Sequence, residues 1–426
     1  TALGPTPVPL WRLRAPTSRA PLLSVVLVRW GGHHPVHPGS EGDGGWGKYG
    51  CIPSDQYISA LLKMGVGRHP ELTGKDLHEG NYEVFSLFIR HSRDMMDLAV
   101  AAPFLTATLR GRKRCTFWMI WPAEWEDTLV ADFAGYVERR ALFHAIRACE
   151  SVGLRTAFPH PADIYELITS KSWMASLALS PQAHLPAAAL VSKSSVMCDP
   201  LRAAKQAIAA LDYIRSTCPF PIGEGERPAP STENANGVKK GVVKLGWSWE
   251  GRYVLSFHGP EQLRDRLVEL MRYPGCSASS CIVQEWVDFD FEMRLYFLPP
   301  ATWTPGKRLT PVKVECNEWA GFSGEGRPHT FTKLTQEACI ERWGDEVALT
   351  SAREQAIDIA QFLLAWLLTM DSEPVPMIRM DFMLSRLGPG KARVVFGEYC
   401  EMGACCLAWE EGPPTIWRAA LDYALR

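Results

Sequence analysis

The chain has 426 residues, 46% of them hydrophobic and 22% charged, with a formal net charge of -2. That length predicts two or three domains at roughly 100–200 residues each, and 45 Lys+Arg against 47 Asp+Glu leave no basic excess for a nucleic-acid backbone or an anionic membrane surface. No apolar run approaches the roughly 20 residues that cross a bilayer, so neither a nucleic-acid nor a membrane partner is expected.

Residues 1–60 are rich in Gly and Pro and read as an irregular arm, with little apolar periodicity over 31–50. Within it Gly42, Gly47 and Lys48 come within one residue of a P-loop, but Tyr49 stands where a magnesium-holding hydroxyl belongs and no helical pattern follows. His33, His34 and His37 have no metal-ligand spacing, and none of the 12 cysteines falls in a Cys-x-x-Cys pair, so buried thiols are expected rather than zinc or disulfides. The chain begins at Thr1, and Arg12, Arg14 and Arg19 precede the apolar run 22–28, which fits a processed targeting segment or a missing start. A cytoplasmic compartment is the expectation.

Arg110, Arg112, Lys113 and Arg114 lead from a solvated turn into a buried strand over 115–121. Apolar spacing predicts a helix in 132–152, closed by Gly153. Strands follow at 154–158 and 187–191, with a helix over 163–178 between them. Then come a helix at 201–216, a polar loop at 223–237, a strand at 241–245, a helix at 261–272 and strands at 281–287 and 292–298. The insertion 299–307 and the segment 313–333, with Glu315, Asn317, Glu318, the Gly-rich 321–326 and Lys333, read as a solvated connection or a substrate-contacting loop. A helix over 351–370 precedes strands at 377–384 and 392–399. This alternation predicts an α/β (α+β) chain without either common nucleotide fingerprint.

Several charged residues sit where they can meet a nucleotide. Lys171 is expected to open a helix, where its ammonium and free N–H groups can face a phosphate. Lys244 ends a strand that runs into a loop carrying Gly246 and Gly251. Gln284-Glu285-Trp286-Val287 ends an apolar strand and offers backbone groups, a carboxylate and apolar walls to a base. Glu292 and Arg294 share one strand face. Asp381 and Glu398 lie on successive apolar strands, and buried carboxylates demand a partner, either magnesium or Arg379.

In this order the motifs resemble the ATP-grasp superfamily of carboxylate–amine/thiol ligases over roughly residues 154–409, with similarity to ribosomal-protein glutamate ligases and D-alanine–D-alanine ligases. The resemblance implies an N-terminal α/β domain (1–160) and an ATP-grasp domain (161–426) whose two α+β subdomains grip ATP. These are a lid at about 172–284, made mobile by Gly241, Gly246 and Gly251, and a metal-site subdomain at about 285–426. It makes Lys171 and Lys244 the phosphate lysines, and Gln284, Glu285, Trp286 and Val287 the adenine hinge. Glu292 joins the nucleotide contacts, Arg294 holds the transferred phosphate, and Asp381 and Glu398 bind Mg2+. The family closes its metal site with Glu-x-Asn, whereas this chain has Glu398-Tyr399-Cys400, and a thiol suits magnesium poorly; Glu401 is the candidate replacement oxygen. The implied activity is ATP-dependent: a small-molecule or peptide carboxylate becomes an acyl-phosphate and is joined to an amine or thiol. The alternatives are a small-molecule kinase on the same scaffold, or a non-catalytic ATP-binding or interaction protein, the latter raised by Cys400 and the 16 Trp.

Overall fold

Apolar β-branched runs too short for helices become the central strands of the first sheet. The computed structural model describes residues 10–14, 20–30, 81–89, 91–124, 136–218, 231–247, 253–320, 330–400, 409 and 411–426. Its first sheet contains Leu10–Arg14 (β1), Leu23–Trp30 (β2), Tyr82–Ile89 (β3), Lys113–Met119 (β4) and Arg155–Phe158, in the order β1-β3-β2-β4 and then the last strand. β2 pairs in parallel with both β3 and β4, and Leu23, Val25, Val26 and Leu27 are fully buried. The continuous apolar run is what a strand covered on both faces requires. The expected irregular arm is thus corrected: β1 and β2 lie inside 1–60, and β2 is central. The P-loop-like glycines and the three histidines fall outside the described residues.

Between these strands lie helix α1 (Ser92–Thr108), the short pair Trp121–Ala123 (β5) and Tyr136–Glu138 (β6), and helix α2 (Arg139–Ser151), capped by Glu138; Arg155–Phe158 is β7. The basic cluster before β4 is a locked turn. The Arg110 N–H donates to buried Glu83, and the Gly111 N–H donates to Ser24 Oγ, which itself donates to Glu83. A Cβ on Gly111 would lie 2.4 Å from the Ser24 nitrogen, so the turn requires glycine.

Two compact units result, one of Thr1–Glu166, Val375–Met377 and Glu401–Arg426, the other of Leu167–Pro374 and Ile378–Cys400. In the second, Ala162–Ser170 (α3, shared across the boundary) and Trp173–Leu177 (α4) replace the single helix expected over 163–178, because Lys171 takes a φ of 55° and breaks it. Ala188–Ser192 (β8), Lys193–Cys198 (α5), Pro200–Thr217 (α6), Lys240–Lys244 (β9), Val254–His258 (β10), Gly259–Met271 (α7) and Ser280–Glu285 (β11) follow. They build an antiparallel sheet of order β10-β9-β11-β8, with α6 and α7 packed on it.

A second antiparallel sheet, of order β14-β13-β12-β15-β16, comprises Phe291–Phe297 (β12), Lys313–Ala320 (β13), Thr330–Leu334 (β14), Ile378–Gly388 (β15) and Lys391–Cys400 (β16). The connection expected over 313–333 is corrected here, since β13 and β14 are ladder strands, whereas 299–307 is an irregular connection as expected. Helix α8 (Gln336–Trp343) precedes α9 (Glu346–Leu367), which covers β15 and β16 and receives the Tyr399 hydroxyl on the Leu363 carbonyl. The last helix, α10 (Gly412–Ala424), packs on the first sheet rather than on the segment before it. Trp417 lies 5.0 Å from Phe117 and 5.9 Å from Phe158, and the Arg155 guanidinium sits 3.9 Å from the Tyr423 ring. Among the described residues no helix is long and apolar enough to cross a membrane.

Candidate active site

Strand pleating sorts the five-stranded sheet into two faces. Met293, Leu295, Met380 and Phe382 form the apolar face with α9, while the other face carries charge. Register places three rows of side chains on that charged face. Glu315, Arg294, Asp381 and Glu398 stand opposite one another across β13, β12, β15 and β16. Tyr296, Arg379 and Cys400 form the row on one side, and Lys333, Asn317 and Glu292 the row on the other. A register shift in β16 decides the middle row: Phe396 pairs with Phe382, Glu398 with Asp381, and Gly397 is the extra residue. This one insertion turns Glu398 onto the face of Asp381 while Phe396 stays in the core. A Cβ on Gly397 would lie 3.1 Å from the Asp381 carbonyl.

Nearly all of this charged face is buried, so each ion requires a partner. Arg379 grips Asp381 through two bonds of 2.8 Å, Nε to Oδ1 and Nη2 to Oδ2, and the same Nη2 lies 2.8 Å from Cys400 Sγ. Arg294 Nε donates to Glu292 at 2.6 Å and stands 3.8 Å from Asp381 Oδ2. The Tyr296 hydroxyl donates to Glu315 Oε2 at 3.0 Å. Burial and then the neighbouring Asp381 charge push the Glu292 carboxyl up to about 7 against the pull of Arg294. Among the described residues Glu315 Oε1 and Asn317 Nδ2 are buried without a hydrogen-bond partner, although Lys333 Nζ stands 4.0 Å from that carboxylate oxygen.

Lys171 and Lys244 converge on Glu398 from different elements. Lys171 Nζ lies 3.1 Å from Glu398 Oε2, and both lysine charges act on that carboxylate. Burial pushes Glu398 upward, but Lys171, Lys244 and Arg379 outweigh it and hold the carboxyl at about 2. Lys244 shows the reverse balance. Burial, then repulsion from Lys171, lowers its ammonium to about 7 despite the attraction of Glu398.

Close packing brings the two lysines together. Trp173, just after Lys171, is buried against Phe396 and Tyr399 with ring centroids 5.5 and 4.8 Å away. Gly246, two residues after Lys244, abuts the residue before Lys171, and a Cβ there would lie 2.0 Å from the Ser170 carbonyl oxygen. The expected helix opening at Lys171 is corrected to a left-handed link between two helices. The mobility expected of Gly241 and Gly246 is corrected likewise: both are buried where the backbone passes too close for a side chain, Gly241 because a Cβ would lie 2.4 Å from the Gln284 carbonyl oxygen. Gly251, Glu401 and residues 223–230 of the polar loop fall outside the described residues.

At the expected hinge, Gln284 pairs with Val242 and Ala188 inside the four-stranded sheet. The Glu285 carboxylate is engaged internally: it accepts from the Ala187 N–H at 2.8 Å and lies 3.2 Å from Arg215 Nε. Burial raises it to about 7 against those contacts. The Trp286 N–H donates to the Lys240 carbonyl, its indole N–H donates to Asp288, and the Lys240 ammonium lies 4.3 Å over its ring. Val287 is buried beside it. Thus Lys171, Lys244, Glu292, Arg294, Asp381 and Glu398 form one connected cluster, while Gln284 and Glu285 stand on the strand next to that of Lys244 and Trp286 and Val287 directly follow it.

Sequence reasoning left Tyr296 out and considered Arg379 only as a structural counter-charge. The period-two run Glu292, Arg294, Tyr296 pointed to the first. For a divalent cation, as the family resemblance implies, Asp381 and Glu398 fit magnesium: each carboxylate keeps acceptor lone pairs beyond those Arg379 and Lys171 use, and magnesium commonly binds through one or two carboxylates plus phosphates. The third converging donor is Cys400 Sγ, and donor atoms of all three lie within 4.8 Å of one another.

No family model matches the sequence, and neither does any curated protein. Solved structures do match. The D-cycloserine synthetase DcsG is similar at a TM-score of 0.50 and 17% identity, over 95% of this chain and 100% of that one. The VanG D-Ala:D-Ser ligase from Enterococcus faecalis follows at 0.47 and 10% identity, over 94% and 99%. A D-alanine–D-alanine ligase from Bacillus anthracis stands at 0.44 and 9%, over 95% and 98%. The chain has the ATP-grasp fold that its sequence resembles, a mixed architecture of helices and sheets.

Proposed function

We propose that the chain is an ATP-dependent ligase that activates a small-molecule or peptide carboxylate as an acyl-phosphate and transfers the acyl group to an amine or thiol. The observation that carries this reading is the convergence of Lys171 and Lys244 on Glu398, beside Asp381 and Arg294. Two ammonium groups held close against their own repulsion are arranged for an anion with more charge than one carboxylate supplies. ATP phosphates have that charge.

Trp286 and Val287, with the backbone at Gln284 and Glu285, wall the adenine, and Glu292 takes part in nucleotide contact. Residues 172–284 serve as the lid that keeps water from the acyl-phosphate. Lys171, Lys244 and Arg294 neutralise charge on the transferred phosphate, so the protein needs no covalent nucleophile and works by fixed electrostatics. Asp381 and Glu398 are the residues that would hold magnesium, which when bound supplies further compensation of phosphate charge.

Lys244→Ala tests the reading. Purified protein with ATP, magnesium and a pooled panel of carboxylates and amines should release ADP, and the variant should lose about a hundredfold or more of that rate, as when one preorganised transition-state contact is removed. Near-normal ADP release from a folded variant would remove Lys244 from the mechanism. Tight ATP binding with no ADP from any pool would replace the ligase with a binding protein.

A further inference from the structure

We propose that Glu315 and Asn317 recognise the amine to be joined, and that this amine is an α-amino acid, its ammonium held by Glu315 and its carboxylate by Asn317. The chemistry of that amine rests on the ligase reading; its binding does not. Both side chains stand on the charged face of β13, 4% and 5% exposed. The Tyr296 hydroxyl donates to one oxygen of Glu315, while the other, Oε1, and the Asn317 Nδ2 are buried without a hydrogen bond among the described residues. An unsatisfied buried acceptor and donor both weaken the fold, so each calls for a ligand that supplies the missing partner. Two residues along one strand separate them, a rise of roughly 7 Å. A molecule that answers both carries a donor and an acceptor a few ångströms apart, as the ammonium and carboxylate of an amino acid do.

Charge decides which donor and which acceptor. Glu315 Oε1 already draws an alkylammonium: Lys333 Nζ stands 4.0 Å away, beyond hydrogen-bond reach, on a side chain that is 46% exposed. Lys333 comes from the edge strand β14, directly opposite Asn317, so it can turn aside and pair with the carboxylate of an incoming amino acid. Exchanging one ammonium for another keeps the buried Glu315 compensated, which a neutral hydroxyl would not do. In register Glu315 stands beside Arg294, which holds the transferred phosphate in the proposed reaction, one strand spacing of roughly 5 Å away. An amino group at Oε1 is therefore next to the acyl-phosphate it attacks. Its nitrogen bonds to the acyl carbon and the bond from that carbon to the phosphate oxygen breaks. Of the two protons the ammonium releases, one passes to Glu315 and one leaves with the phosphate.

The test is binding to the full chain, read by saturation-transfer NMR with an equimolar mixture of racemic α-amino acids, and with methylamine and acetate as probes that carry one charge each, with and without ATP and Mg2+. One or a few amino acids should receive saturation, and methylamine and acetate far less. Glu315→Gln keeps an acceptor for Tyr296 and removes the charge; it should weaken binding of the selected amino acid by about tenfold or more, as loss of a charge-assisted hydrogen bond does. Asn317→Asp sets a second negative charge against the carboxylate and should weaken it at least as much. Thermal unfolding confirms that each variant is folded, and the wild-type mixture decides the matter if neither is. No saturation of any amino acid in wild type, or an unchanged affinity in folded Glu315→Gln, overturns the proposal. An equal fall in ATP affinity, measured in parallel, overturns it too, because the two side chains would then belong to the nucleotide. The two readings fail separately: amino-acid binding with no ADP from any carboxylate pool removes the ligase and leaves the amine site, whereas ADP release with no amino acid bound removes this site and leaves the ligase.

Discussion

Within residues 167–400 the five-stranded sheet neutralises its buried charges internally, whereas the four-stranded sheet delivers one lysine to a place where another already stands. Arg379 is bonded to Asp381, Arg294 to Glu292, and the Glu315 carboxylate has Lys333 4.0 Å away. Lys244 instead meets Lys171, and its ammonium falls to about 7 under burial and that repulsion, even though Glu398 attracts it. The first sheet is organised before any ligand arrives. The second sheet brings Lys244 beside Lys171 with the single Glu398 carboxylate acting on both, which is why the proposed nucleotide reading rests on the lysines and not on the carboxylates.

The most severe way to break this contrast is to unbalance the self-neutral sheet. Arg379→Met should destabilise the protein by about 3–5 kcal/mol, because removing one partner leaves a buried carboxylate uncompensated. Urea unfolding measures this, and the double variant Arg379→Met/Asp381→Asn should recover part of the loss. A cost under about 1 kcal/mol would mean that Arg294, 3.8 Å from Asp381, already suffices.

Much of this site was legible from one sequence, and the illegible part has a common cause. Lys244, Arg294, Asp381 and Glu398 were visible because charged residues inside apolar runs must have a reason to be there, and Lys171, in a polar Thr-Ser-Lys-Ser stretch, only through its expected place at a helix start and the family resemblance. Which face each charge occupies was only partly visible. Period two places Glu292 and Arg294 together, but Glu398 joins Asp381 only through the extra residue at Gly397; a glycine inside a strand is a bulge signal, yet it equally marks a close backbone approach and does not by itself give the new register. β13 was hidden for a related reason: Lys313–Ala320 is half polar because one of its faces is a polar site, so its pattern reads as loop. In the first unit β2 was obscured by its Gly/Pro-rich surroundings, although its own run is continuously apolar. Gly246 was read as freedom and proves to be contact, since sequence cannot tell a glycine needed for motion from one needed for closeness.

That contact offers a milder test, aimed at how the two lysines are held together. Gly246→Ala puts a methyl group 2.0 Å from the Ser170 carbonyl oxygen, so backbone must move. The expected cost is about 1–3 kcal/mol, typical of overpacking a well-filled site, with weaker ATP binding as Lys171 shifts from Lys244. Gly388→Ala, where a Cβ meets nothing within 4 Å, is the control and should leave ATP binding unchanged. Equal ATP affinity in both variants would show that the separation of the lysines does not matter to the nucleotide.

The smallest effect bears most directly on the difference between the sheets. With Lys244 lowered to about 7, the free protein holds this ammonium fully charged below that pH and loses the charge above it. A bound phosphate favours the charged form, so binding above pH 7 must take up a proton. ATP affinity should therefore be highest on the acid side and fall as pH rises through 7, by at most about tenfold per pH unit for a single linked proton. Glu398, held at about 2, stays ionised throughout this window and adds no slope of its own. Calorimetric titration at pH 6, 7.5 and 9, in buffers of different ionisation enthalpy, reads both the affinity and the proton uptake. Lys244→Met should flatten the profile. A flat profile in the wild type would mean that Lys244 is charged before the nucleotide arrives, and the four-stranded sheet would then be as fully compensated as its neighbour.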